Sequence, residues 1–215
     1  MGILADWQIE QRNIVTPFIK DNYKPGVISY GVTSYGYDAR LAERIVLVGY
    51  TPPERQDLTN HIDPKYFNEE LTMELEVEVD ESTGSKYVVM PPHSFVLAET
   101  VEEFDIPRDV VATCLGKSTY CRCGIILNVS PLEPEWRGKV TIELSNTTPL
   151  PAILYINEGI MQVQFHTADA HSYSVYHKGY DIDMGPQNKT PYPCDVSYAD
   201  KKGKYQDQKG LTFPK

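Results

Sequence analysis

The sequence predicts an all-β domain, barrel-like or jelly-roll-like, on three observations. Apolar and polar residues alternate with period two through several short runs, Pro, Gly and Asn stand between those runs, and helical periodicity is scarce. The clearest run is 71–80, where Leu71, Met73, Leu75, Val77 and Val79 point one way and Thr72, Glu74, Glu76, Glu78 and Asp80 the other. That is the pattern of a half-buried strand with a solvated acidic face.

Taken in order, the chain opens with Asp6 placed to cap a short amphipathic helix through Trp7 and Ile9. Strands are predicted at 44–48, 71–80, 87–90, 95–98, 110–115, 124–129, 140–144 and 160–165, and a brief helical turn at 118–122. After 168 the alternation stops and the chain becomes rich in Tyr, Gly, Lys, Asp and Pro. A charged, glycine-containing terminus is commonly a flexible tail. Against that, Tyr198, Tyr205 and Phe213 are costly to leave in solvent, and Lys201, Lys202, Lys204 and Lys209 gather positive charge in an acidic protein. The alternative is an arm that orders over a bound phosphate. No repeat or linker divides the chain, so 1–215 is expected to be one domain, with 168–215 as its C-terminal segment.

Composition narrows the function. A chain of 215 residues, 41% hydrophobic, can bury a sizeable core. Its net charge of -10 gives no broad basic footprint, so binding to nucleic acid or to an anionic membrane is not expected, and any phosphate must be held locally. No run approaches the roughly 18 apolar residues of a membrane span. The start lacks the regions of a signal peptide, and Asp6 stands where myristoylation of Gly2 would need Ser or Thr. A cytosolic protein is therefore expected. Cys114, Cys121, Cys123 and Cys194 then read as reduced thiols. Their spacing suits no zinc site, and none of the five histidines stands in the His-x-Glu sequence of zinc-dependent base deaminases.

Chemistry concentrates in two stretches, Gly116-Lys117-Ser118-Thr119-Tyr120-Cys121-Arg122 and Thr141-Ile142-Glu143. The Gly-Lys-Ser triplet is not a P-loop, because Val111 stands where the first glycine would be and no parallel βα unit surrounds it. Gly116 allows a tight turn, amides at the start of a short helix can meet phosphate, and Lys117 and Arg122 add charge. Glu143 has two readings. With Val140, Ile142 and Leu144 facing the core, it points outward as an ordinary surface carboxylate; in a half-buried cleft it would be desolvated, its pKa would rise, and it would serve as base and acid near neutral pH.

These residues stand in a recognisable order. Ser34-Tyr35-Gly36-Tyr37-Asp38-Ala39-Arg40, then the 116–122 stretch, Glu133-Pro134-Glu135-Trp136-Arg137-Gly138, and Gly159-Ile160-Met161-Gln162 resemble the four motifs shared by dCTP deaminases and trimeric dUTPases. The resemblance implies a distorted jelly-roll of the dUTPase-like type with a few short helices. Glu143 matches the deaminase proton shuttle, at a position that is apolar in dUTPases, and the ending Lys202-Gly203-Lys204-Tyr205-Gln206-Asp207-Gln208-Lys209-Gly210 resembles the deaminase tail.

What the resemblance implies is hydrolysis of dCTP to dUTP and ammonia without a metal at the base, supplying dUTP for thymidylate synthesis. Glu143, Ser118 and Arg122 would be catalytic, with the backbone near Ser130 placing water. Nucleotide contacts would come from Lys117, Ser118, Thr119, Tyr120, Cys121, Arg122, Thr141, Ile142, Glu143, Gln162, Tyr198, Lys204 and Gln208, with Mg²⁺ carried on the triphosphate and no zinc. A homotrimer with shared sites is implied, with dTTP as a possible feedback ligand and the C-terminal segment as a nucleotide-closing lid. Glu133 occupies a position where Asp is more common. Two departures stand out: the region between His166 and Tyr198 is longer than the family's, and some deaminases have two more residues between the equivalents of Arg122 and Glu143, which bears on the loop 128–131. Alternatives are a bifunctional enzyme giving dUMP and pyrophosphate with help from Glu133, a deaminase of a modified cytosine nucleotide, and a nucleotide-binding relative without turnover.

Overall fold

The computed structural model describes residues 2–20, 24–51, 53, 61–167 and 205–214. In chain order the elements are β1 (Gly2–Ile3), α1 (Asp6–Gln11), β2 (Val15–Thr16), β3 (Gly31–Thr33), β4 (Gly36–Arg40), β5 (Val46–Val48), a 3₁₀ turn (Glu69–Leu71), β6 (Thr72–Glu74), β7 (Glu78–Val79), β8 (Lys86–Met90), β9 (Phe95–Asp105), β10 (Val110–Gly116), α2 (Ser118–Arg122), β11 (Ile125–Asn128), β12 (Arg137–Asn146), β13 (Ala152–Tyr155) and β14 (Gly159–Thr167). The all-β class expected from the alternation is what the chain adopts. One antiparallel sheet gathers β1, β14, β4 and β3, with β10 also on β14; a second runs β11-β12-β9-β5-β6, with β2 on β9; a small third sheet is β13-β8-β7.

The core lies between these sheets because each strand turns alternate residues inward. Tyr37 and Ala39 of β4, Val96 and Ala98 of β9, Ile142 of β12, and Val163 and Phe165 of β14 are fully buried. One charged pair crosses this dry region. The Glu102 carboxylate on β9 accepts from the Arg40 backbone N–H at 2.8 Å and from Arg40 Nε at 2.7 Å, tying the first sheet to the second.

Two local expectations need correction. The 71–80 run is not one strand: β6 pairs with β5, β7 pairs with β8 in another sheet, and Val77 and Val79 are exposed. Alternation marks the face a strand can bury, and here the pairing partner changes before the far end finds a cover. At α1 the cap is Ala5 rather than Asp6; Ala5 N–H donates to the Gln8 side chain at 2.9 Å, and Asp6 starts the first turn, where its charge suits the helix dipole. The Ser118–Arg122 helical turn forms as expected. The longer region after His166, with Tyr198, Lys201, Lys202 and Lys204, lies outside the described residues.

Candidate active site

β12 places one row of side chains in the core and the next row in a cavity. Val140, Ile142 and Leu144 are at most 2% exposed, whereas Thr141 and Glu143 project from the opposite face. That outer face continues across the ladder, where Glu143 pairs in register with Leu97 on β9 and Asn128 on β11, and Thr141 pairs with Glu99. An open sheet face would leave Glu143 solvated. Here two other segments cover it. Ile62, Pro64 and Phe67 from the excursion between β5 and β6 form one wall, and residues 205–214 cross the mouth. The result is a cavity of about 560 Å³, with Phe95, Leu97 and Val129 as apolar lining and Ser130, Glu133, Thr141, Glu143 and Gln208 as polar groups.

Backbone pairing fixes the covering segment. Gln208 forms a parallel bridge with Gly138 and its carbonyl accepts from Lys139 N–H at 2.8 Å, while Trp136 Nε1 donates to the Tyr205 carbonyl at 3.1 Å. Gly138 has φ of +132°, and a Cβ there would stand 2.5 Å from Gln208 backbone atoms, so both the conformation and the contact require glycine. Gln208 reaches the site itself, its side-chain oxygen accepting from the Thr141 hydroxyl at 3.2 Å.

Enclosure changes the chemistry of Glu143. Burial pushes its carboxyl up from 4.5 to about 7. Its Oε2 is shut off from solvent and has no hydrogen-bond partner among the described residues. Behind it on β10, the Cys114 thiol is pushed up to about 12 by burial and then by the Glu143 charge. A carboxyl that is half ionised near neutrality and holds a free acceptor can take a proton and return it. Sequence alternation left this open, because it shows that Glu143 leaves the core and cannot show what lies above it.

The other predicted residues divide into two groups. Thr141, Glu143 and Gln208 meet in the cavity, and Ser130 and Glu133 join them. The 116–122 stretch does not line that cavity. Ser118, Thr119, Cys121 and Arg122 are exposed on α2, and the Arg122 guanidinium makes a 3.4 Å contact with the Ser118 carbonyl of its own turn. The Tyr120 side chain anchors the turn: it is buried, and its hydroxyl oxygen accepts from Tyr155 N–H at 2.9 Å. Ile142 likewise turns its side chain into the core. Lys117, expected on phosphate, forms an ion pair with Asp38 of β4 and lies 3.0 Å from the Ser29 hydroxyl. Burial raises the Asp38 carboxyl, opposed by that ammonium and by Gln162, which faces Asp38 across the ladder. Tyr198 and Lys204 lie outside the described residues. Among the described residues no three His, Cys, Asp or Glu side chains gather as a metal site.

The family model described as dCTP deaminase-like matches residues 3–168. The chain belongs to that family. It is 45% identical to a dCTP deaminase of Campylobacter hominis, an alignment covering all of this chain and 96% of that one. To the dCTP deaminase of Helicobacter hepaticus it is 43% identical, over all of this chain and 98% of the other. The fold is shared with the crystal structure of the 2′-deoxycytidine 5′-triphosphate deaminase from Agrobacterium tumefaciens, with a TM-score of 0.52 at 17% identity, over 78% of this chain and 48% of that chain. Glu143, which the sequence singled out, lines this cavity, and the walls that enclose it were not indicated by any motif. Phe67 and Glu99 lie outside every motif quoted for the family.

Proposed function

We propose that the protein deaminates dCTP hydrolytically, giving dUTP and ammonia, with Glu143 as the proton shuttle. The observation that carries this reading is a carboxyl with a pKa of about 7 and a free acceptor oxygen, enclosed in a largely apolar cavity on a chain whose full-length relatives are dCTP deaminases. Ionised Glu143 takes a proton from water as the oxygen attacks C4 of cytosine. The same proton passes to the ring nitrogen, the water's second proton reaches the amino group, the C–N bond breaks, ammonia leaves, and C4 becomes a carbonyl. Ser130 lines the cavity, and the backbone near it is proposed to orient that water. The reacting nucleotide is a magnesium complex, so Mg²⁺ arrives as part of the substrate, bound through the phosphates. Gln208 and Gln162, with Tyr198 and Lys204 of the C-terminal segment, are proposed to hold the triphosphate.

One chain does not bring Ser118 and Arg122 to Glu143, and the homotrimer implied by the resemblance supplies the remedy. The exposed α2, flanked by exposed Leu115 and Ile126, is proposed to enter the neighbouring subunit's cavity, where Arg122 would offset developing charge and Ser118 would meet the water or amine. dTTP, sharing the phosphates and sugar, would compete for the same site. No helix among the described residues is long and apolar enough to cross a membrane.

Incubating the full-length protein with dCTP and Mg²⁺ and separating the nucleotides tests the reading. Accumulating dUTP that disappears in Glu143→Gln supports it, and retention of turnover in that variant overturns it. A second reading has its own observation, since Glu133 lines the same cavity as Glu143. A second carboxylate beside the first is what a bifunctional enzyme needs to activate water against the α-phosphate, and dUMP with pyrophosphate in place of dUTP would establish it.

A further inference from the structure

We propose that Glu99 and Phe67 are positioning residues that clasp the C-terminal strap, residues 205–214, over the Glu143 cavity of the same chain and so keep the proton shuttle dry. The inference rests on the proposed deaminase reading for its kinetic consequences and on geometry alone for the clasp. Beyond the Gln208 bridge and the Trp136–Tyr205 hydrogen bond, the strap is held by further hydrogen bonds and apolar contacts. The Glu99 carboxylate accepts from Leu211 N–H, and the next residue, Thr212, donates its N–H to the Thr141 hydroxyl at 3.2 Å. Leu211, only 8% exposed, packs with Val46 and Leu97. At the end, Phe213 stacks on Phe67 with ring centroids 5.4 Å apart and planes 18° apart.

Glu99 is an unusual choice for such a contact. Its side chain is only 12% exposed, and among the described residues it pairs loosely with Lys139 Nζ at 3.6 Å. A neutral side chain would satisfy Leu211 N–H at lower desolvation cost, whereas a charged acceptor makes the stronger bond. Glu99 also sits opposite Thr141, two positions along the ladder from the pair formed by Glu143 and Leu97, so the strap's register is set from the strand that carries the shuttle and its neighbour. Gly210 leaves room for this approach, since a Cβ there would stand 3.0 Å from the Glu99 oxygen. Phe67 adds a second, apolar hold from an element outside that ladder, the excursion that walls the cavity.

The test uses the full chain and the variants Glu99→Ala, Glu99→Gln and Phe67→Ala. Two readouts are taken: tryptic cleavage after Lys209 without nucleotide, followed by intact mass, and the pH profile of kcat and KM for dCTP with Mg²⁺. In each alanine variant, cleavage and KM rise by about tenfold, the scale of one lost charged hydrogen bond or one lost ring contact. The acidic limb of kcat/KM moves to lower pH as water reaches Glu143. Glu133 and Tyr205 share the cavity with Glu143 and Cys114 stands behind it, so the limb is assigned by its loss in Glu143→Gln. Glu99→Gln keeps an acceptor and recovers most of the effect. Unchanged cleavage in both alanine variants overturns the clasp. Faster cleavage with KM and the acidic limb unmoved overturns the positioning role. Should Glu99→Ala fail to fold, Phe67→Ala decides alone, and should the wild type not turn over dCTP, the cleavage arm still decides the clasp while the substrate reading falls.

Discussion

Between β4 and β9, Glu102 is completely buried and fully answered, held by the Arg40 backbone and guanidinium, while Arg40 also donates to Asn157 at 2.9 Å and lies 5.1 Å from the Tyr30 ring centre. On the outer face of β12, Glu143 is half-buried, yet its sheltered Oε2 has no partner among the described residues and its carboxyl is pushed up to about 7. Both carboxylates come from long strands of one sheet. A fold keeps a buried charge by pairing it, and a pair tied to backbone is poorly suited to proton exchange. A site keeps it unpaired and accepts the loss of stability. The difference predicts opposite behaviour on mutation.

The largest expected effect breaks the unpaired side. Glu143→Gln keeps shape and removes the proposed shuttle, and deamination should fall by about 10²–10⁴-fold, the range assigned to a positioned acid–base group. Single-turnover assays on protein with unchanged circular dichroism would measure it. Next comes the paired side. Glu102→Ala leaves the Arg40 guanidinium buried without its counter-charge and should cost about 3–5 kcal/mol of stability, read from denaturant midpoints. Activity per folded molecule should change little. Large loss of turnover in Glu102→Ala at full folding would erase the contrast between the two regions.

A third experiment asks whether the unpaired oxygen is answered from outside the chain. Arg122→Ala should reduce kcat/KM by about 10–100-fold, as expected for one charged contact. Mixing Arg122→Ala with Glu143→Gln protein under conditions of subunit exchange should restore part of the activity, because a mixed assembly can pair an intact α2 with an intact Glu143 cavity. No recovery after demonstrated exchange would place both groups in one chain's site.

Much of this was legible in the sequence. Runs at 110–115, 140–144 and 160–165 became β10, β12 and β14, since period-two burial is a local property that the strands realise once paired. The motif order pointed to Glu143, and the ending pointed to Gln208. What stayed hidden depends on distant contacts. The split of 71–80 follows from a change of pairing partner, no strand was read at β3 or β4 because both carry few apolar residues, and Lys117 meets Asp38 across 79 positions. The desolvation of Glu143 comes from the excursion carrying Phe67 and from a strap more than 60 residues downstream, and no spacing rule links them.

The smallest effect is the most discriminating, because it concerns stability and reads the desolvation directly. Glu143 has a folded-state pKa of about 7 against an ordinary 4.5. Below pH 4.5 both folded and unfolded chains hold the proton, and the group leaves stability unchanged. Between 4.5 and about 7 the unfolded chain ionises while the folded one does not, so stability falls as pH rises, and above 7 the penalty is complete. Glu143→Gln removes that penalty. The variant should match the wild type near pH 4 and exceed it at pH 8 by roughly 1–2 kcal/mol, a figure reduced from the full shift because part of the side chain meets solvent. Thermal melts at the two pH values measure it. Equal stability at pH 8 would mean that the carboxylate is answered in the free protein, and the contrast with Glu102 would vanish.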